Sequence, residues 1–133
     1  MAPSLEAIFW DVDGTLAETE LEGHRVAYNH ALAAAGLPWH WDRARYLDDL
    51  AVAGGRERLD RFLTDLEGRP PSRPLLDGLV ATKKRVYAEL ISSGALPLRE
   101  GVARLIAAAA AADLTQMIAV SYTHLTLPTI CSV

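Results

Sequence analysis

Leu5-Glu6-Ala7-Ile8-Phe9-Trp10-Asp11-Val12-Asp13-Gly14-Thr15 opens the chain after four residues. From Leu5 to Trp10 only Glu6 is polar. A short, almost continuous apolar run of this kind suits a parallel strand covered on both faces. Gly14 then breaks it. Ligands of open α/β sheets collect at the carboxyl ends of the strands, so two carboxylates two residues apart can face one cavity there. One carboxylate can attack phosphorus and form an acyl phosphate, which splits phosphoryl transfer into two easier steps. The other can protonate the leaving oxygen and later take a proton from the incoming nucleophile. Gly14 lets the backbone turn sharply beside a phosphate, and the Thr15 hydroxyl with nearby N–H groups can hold phosphate oxygens. A hard cation, Mg²⁺, would neutralise the crowded charge.

Two rival readings of Asp11-Val12-Asp13-Gly14 are weaker. Asp and Gly favour surface turns, but a turn does not need an apolar strand feeding into it. A calcium loop wants a third acidic or amide ligand before the glycine and a glutamate later in the loop, and this stretch has neither.

Outward from the motif the pattern is helical from Glu20 to Ser93. Leu59, Phe62, Leu63 and Leu66 follow i, i+3, i+4, i+7 spacing. Leu79, Val80, Val86, Tyr87, Leu90 and Ile91 make a second long stripe, with Lys83 on it. A helix is expected over Val26–Ala35, stopping at Gly36 and Pro38, and a shorter one over Ala44–Val52 before Gly54-Gly55. Pro70, Pro71 and Pro74 mark a loop. Leu96-Pro97-Leu98 reads as a linker, Glu100–Ala112 as a helix and Gln116–Val120 as a second strand. The expected fold is α/β: an incomplete Rossmann-like core interrupted by a helical insert. Residues 1–17 start the core, 18–95 form the insert, 96–119 return to the core, and 120–133 are a tail.

Composition narrows the function classes. Half of the 133 residues are apolar and the formal charge is −4, a globular balance without a basic patch, so nucleic acid is not an expected partner. Val102–Val120 is interrupted by Arg104, Asp113 and Gln116, which argues against a membrane span. The start of the chain is short before its apolar run and carries Glu6, so no signal peptide is expected, and a reducing cytoplasm is the expected compartment. Cys131 is the single cysteine, which excludes an intramolecular disulfide and a cysteine-based metal site.

Ile8-Phe9-Trp10-Asp11-Val12-Asp13-Gly14-Thr15-Leu16 resembles the first motif of the haloacid-dehalogenase superfamily. Ala17-Glu18-Thr19-Glu20 and Gly23-His24-Arg25-Val26-Ala27-Tyr28-Asn29 look like the start of the helical cap in its CbbY-type sugar-bisphosphate phosphatases. So do Tyr46 and Ala53-Gly54-Gly55-Arg56-Glu57-Arg58-Leu59. Leu96-Pro97-Leu98-Arg99-Glu100-Gly101-Val102 resembles the return from cap to core. The resemblance runs from about Leu5 to about Ala119. It implies that Asp11 is the nucleophile and Asp13 the acid/base partner. It also implies that Mg²⁺ is held by the Asp11 carboxylate and the Asp13 backbone carbonyl, and that the insert is a mobile cap over a small sugar phosphate. The implied activity is a phosphatase of small sugar phosphates or bisphosphates. A β-phosphoglucomutase-like phosphomutase or a phosphoglycolate phosphatase is the near alternative, and a non-catalytic helical fragment the distant one.

The same resemblance calls for a Ser or Thr after the second strand, a later Lys and a later acidic pair. Ser121 and Thr123 stand near the first position, but no Asp or Glu follows Asp113 and no Lys follows Lys84. Val120-Ser121-Tyr122-Thr123-His124-Leu125-Thr126-Leu127-Pro128-Thr129 matches a translated transposase sequencing adapter. The tail is therefore expected to be non-native, Cys131 to carry no meaning, and the chain to be an inactive N-terminal fragment.

Candidate substrate contacts each have a plainer reading. His24 either touches a substrate phosphate or is a polar residue on the first insert helix. Gly55, Arg56 and Arg58 sit at a helix start, where backbone N–H groups and bidentate guanidinium contacts suit an anion; the alternative is a solvated face. Glu18 and Tyr46 either meet sugar hydroxyls or serve as hinge and packing residues. His30 and His40 are expected on the surface, Trp39 and Trp41 as plugs between helices, and Lys83 and Lys84 in solvent.

Overall fold

A computed structural model describes residues 4–119; the expectations for Val120, Ser121, Thr123, Cys131 and the rest of the tail lie outside them. The chain divides into two compact units, one made of the residues up to Thr19 and from Leu96 onward, the other of Glu20–Ala95. The insert was expected from Glu18, but Glu18 and Thr19 stay with the first unit. Side-chain contacts to Arg99 and Asp13 and a bridge between Ala17 and Leu98 hold them there.

The first unit contains strand β1 (Ala7–Asp11), helix α5 (Val102–Ala111, the last helix in chain order) and strand β2 (Thr115–Ala119). β1 and β2 pair in parallel, in a register that sets Phe9 opposite Met117 and Trp10 opposite Ile118. Gln116 ties the layers together: its Oε1 accepts from Trp10 Nε1 at 3.0 Å and its Nε2 donates to the Ile106 carbonyl of α5 at 3.1 Å. α5 ends where Asp113 adopts φ 55° and the Leu114 N–H returns to the Ala109 carbonyl, satisfying a carbonyl the helix end leaves over. The strands were expected to be buried on both faces. Instead Phe9 is 65% and Ile118 46% exposed, because the two strands are the only ones in the sheet among the described residues.

The second unit is helical. A π-helical turn, Glu20–His24, runs into α1 (Arg25–Ala34), followed by α2 (Arg43–Asp49), α3 (Gly55–Glu67) and α4 (Arg73–Ser92). Asp42 caps α2 by accepting from Arg45 N–H at 2.8 Å, and Ser72 caps α4 by accepting from Leu75 N–H. Pro74, expected in a loop, lies in the first turn of α4, where its missing N–H costs nothing. Tyr28, Leu32, Trp41, Tyr46, Leu59, Phe62, Leu63 and Leu79 form one core. Trp41 is the plug expected from the sequence. It stacks on Phe62 with ring centroids 4.2 Å apart, its indole N–H donates to Asp49 at 2.9 Å, and its backbone is clamped by both ends of the Asn29 amide. Two expectations change. Leu66, at the end of the α3 stripe, is exposed. Lys83, expected in solvent, is half-buried, with its Nζ 4.9 Å from the Tyr28 ring centroid and 5.2 Å from that of Tyr87. Lys84 is exposed.

Candidate active site

β1 delivers Asp11 at its last residue, and the chain then turns tightly. The Val12 carbonyl accepts from the N–H groups of Thr15, at 3.2 Å, and Leu16, at 3.1 Å. Gly14 sits at φ 73°, a left-handed conformation that favours glycine, and its N–H donates to the Ala17 carbonyl at 2.9 Å. A trans peptide directs C=O opposite to N–H, so this bond turns the Asp13 carbonyl away from Ala17. Two threonines orient the two carboxylates. The Thr15 hydroxyl donates to Asp11 Oδ2 at 3.0 Å. The fully buried Thr19 donates to Asp13 Oδ1 at 2.5 Å. Asp11 and Asp13 are both exposed.

Thr19 was not anticipated as a site residue, although it stands within the quoted Ala17-Glu18-Thr19-Glu20 stretch. Nor was Arg99, which donates from Nη1 to the Gly14 carbonyl and from its backbone N–H to the Leu16 carbonyl at 2.8 Å. Its Nε is 3.3 Å from Glu18 Oε1, so Glu18, a candidate for sugar hydroxyls, is placed against this arginine.

Asp11 and Asp13 offer hard oxygen donors of the kind Mg²⁺ prefers. Among the described residues no three His, Cys, Asp or Glu side chains gather around a point. These two residues therefore fit part of an octahedral shell, the remainder being left to water, substrate phosphate or other residues.

In the helical unit, His24 is nearly buried and stacks on Tyr87, with centroids 4.1 Å apart and planes 14° from parallel. Lys83 Nζ lies 2.9 Å from His24 Nδ1. Tyr46 is fully buried and its hydroxyl donates to Glu20 Oε2 at 3.0 Å. Burial, with the Glu20 carboxylate adding to it, pushes the Tyr46 hydroxyl well above its ordinary range. This placement favours the packing role for Tyr46; the accessible end of the pair is Glu20, which sequence reasoning passed over. Arg58 directs its guanidinium at the carbonyls of Asp49 and Val52, at 3.2 Å and 3.1 Å, closing the α2–α3 turn, and lies 5.7 Å from the Tyr46 ring centroid. Arg56 pairs with Asp77 at 2.6 Å on an exposed face. Gly55 is required by close approach, since a Cβ there would collide with the Tyr28 hydroxyl.

A sequence model of the haloacid dehalogenase-like hydrolases matches residues 5–129. The chain is 46% identical over 123 residues to a plasmid-encoded CbbY protein of Cupriavidus necator, covering 90% of this chain and 48% of that one. It is 44% identical over 115 residues to the CbbY protein of Cereibacter sphaeroides, covering 86% of this chain and 49% of the relative. Among solved structures, an Asp-to-Asn mutant of CbbY from Rhodobacter sphaeroides in complex with xylulose-1,5-bisphosphate superposes with a TM-score of 0.70 at 41% identity, over 90% of this chain and 52% of that one. The chain spans about half the length of the curated relatives it matches.

Proposed function

The chain belongs to the haloacid dehalogenase-like hydrolases, and from that premise we propose that the protein is a phosphatase of small sugar bisphosphates, working through an aspartyl phosphate on Asp11. The observation that carries this reading is the pair of carboxylates at the end of β1, each oriented by its own threonine. Oδ1 of Asp11 attacks the phosphorus, and the P–O bond to the sugar breaks. Asp13, held by Thr19, gives its proton to the departing sugar oxygen. It then takes a proton from the water that attacks the acyl phosphate, which returns Asp11 and releases phosphate. Bound at the Asp11 carboxylate and the Asp13 carbonyl, Mg²⁺ would offset the charge of the phosphoryl oxygens. Arg58, Arg56, Gly55, His24 and Glu18 remain the proposed contacts to the part of the substrate that does not react, while the buried Tyr46 acts by packing and by holding Glu20.

A sugar bisphosphate is the substrate class of choice because the relative with 41% identity was crystallised with xylulose-1,5-bisphosphate. The test, made on the whole protein with its complete core, is phosphate release from that compound with and without Mg²⁺, with intact-mass detection of a phosphorylated Asp11; the 133-residue chain alone is expected to be inactive. Asp11→Asn is expected to abolish both signals, because an amide does not form the acyl phosphate. Turnover surviving in Asp11→Asn would remove Asp11 from the reaction.

A further inference from the structure

The turn that carries Asp11 and Asp13 is held from two sides, and the second holder has no assigned role. Gly14 and Thr15 share one peptide plane. Its N–H donates to the Val12 carbonyl, and its C=O accepts from Arg99 Nη1. With both ends occupied, the plane cannot rotate without breaking two hydrogen bonds, one of them charge-assisted. This matters because Gly14, at φ 73°, is the most permissive residue in the turn and would otherwise allow the plane to flip. Thr15 hangs from that plane, and its hydroxyl sets the rotamer of Asp11.

Arg99 is itself fixed. Its N–H binds the Leu16 carbonyl, its neighbour Leu98 bridges Ala17, and Glu18 stands 3.3 Å from Nε. The Arg99 side chain is 49% exposed, so its ion pair with Glu18 adds little stability. Its geometry is the larger contribution. We propose that Arg99 is a positioning residue for phosphoryl transfer: by holding the Gly14 carbonyl it sets Thr15, and through Thr15 the attacking oxygen of Asp11. This rests on the reading that Asp11 is the nucleophile.

The test uses the full chain labelled with ¹⁵N, as Arg99→Ala and Arg99→Lys, with Asp11→Asn as a parallel arm. In Arg99→Ala the Thr15 amide resonance is expected to shift, since it reports the hydrogen bond to the preceding carbonyl. Arg99→Lys, which keeps one donor for that carbonyl, should move it back toward its original position. In the whole protein with its complete core, kcat for sugar-bisphosphate hydrolysis is expected to fall roughly 10- to 100-fold in Arg99→Ala with KM nearly unchanged, as for a misplaced reacting group. The lysine variant should recover most of the loss. An unmoved Thr15 amide, or a rise in KM with kcat intact, overturns the proposal. Loss of the β1 amide signals in both variants also overturns it, by making Arg99 a fold-holding residue. Should Asp11→Asn keep its turnover, the reading of Asp11 as nucleophile fails instead, while the Thr15 resonance still decides whether Arg99 holds the turn.

Discussion

The two units treat their aromatic side chains in opposite ways. In the helical unit Trp41 and Tyr46 are fully buried and Tyr28 and Phe62 nearly so, whereas Phe9 on β1 of the other unit is 65% exposed. The helical unit closes a core around Trp41 from four helices. The strand-bearing unit buries Leu16, Ala17, Thr19 and Ala109 and leaves Leu5, Leu98, Leu105 and Ile118 exposed. Burial of apolar area is the main stabilising contribution to a fold, so stability and proposed chemistry reside in different units. The exposed turn bearing Asp11 and Asp13 keeps its geometry by hydrogen bonds donated by Thr15, Thr19 and Arg99 and by those the Val12 carbonyl accepts.

The largest expected effect of this contrast is in amide exchange. Amides of Leu59, Phe62 and Leu63 in the 133-residue chain should exchange roughly 100-fold or more slowly than those of Phe9 and Met117, since local opening follows buried contact density. Equal protection in the two sets would break the comparison, because it would mean that both units open together.

Removing the central plug sharpens it. Trp41→Ala is expected to destabilise the helical unit by about 3–5 kcal/mol, as for other buried aromatic truncations, and to leave the Asp49 carboxylate without its indole donor. Thermal unfolding followed by near-ultraviolet circular dichroism reads the loss. If exchange at Phe9 and Met117 rises in step, the units are energetically one.

A third effect depends on pH. The folded Tyr46 hydroxyl has its pKa raised above the ordinary 10.0 by burial, and by Glu20. A raised pKa means that the folded state prefers the neutral form. Its contribution is therefore complete below pH 10 and is lost as pH climbs above it, where the unfolded tyrosine ionises and the folded one resists. Tyr46→Phe should cost about 1 kcal/mol at neutral pH, since Glu20 loses its donor. It should also lose less further stability than the unsubstituted chain above about pH 10. Parallel alkaline unfolding curves for the two proteins would show that Tyr46 ionises freely.

Much of this architecture is legible in the sequence because its signals are local and periodic. The α3 stripe of Leu59, Phe62 and Leu63 follows the helical period, and Asp11 lies at the end of an apolar run. What the sequence conceals is tertiary. Lys83 reads as solvated because nothing local shows that His24, Tyr28 and Tyr87 surround it. The π-helical turn at Glu20–His24 has no period of its own to reveal it. Tyr46 carries a polar end that a sugar could meet, and only the fold shows that end donating to Glu20. Arg99 meets the Gly14 carbonyl from the far side of the insert in sequence, a pairing no spacing rule contains. Pro74 was readable in principle, since Ser72 two residues earlier is a good helix cap.

The smallest effect should fall on the strand-bearing unit alone. Asp113 takes φ 55° between α5 and β2, the one positive φ at a non-glycine among the described residues. Left-handed backbone costs an L-residue roughly 1–2 kcal/mol, and less for Asp or Asn, whose short polar chains bond locally. Glycine removes that steric cost but has more freedom to lose on folding. The two terms oppose each other, and relief of strain outweighs the lost freedom where φ is positive. Asp113→Gly is therefore expected to gain about 0.5 kcal/mol, seen as slower amide exchange at Gln116 and Met117 with no change at Leu59 or Phe62. A gain distributed over both sets would couple the α5–β2 turn to the helical core. A loss would show that the Asp113 side chain holds the turn more firmly than its backbone strain opposes it.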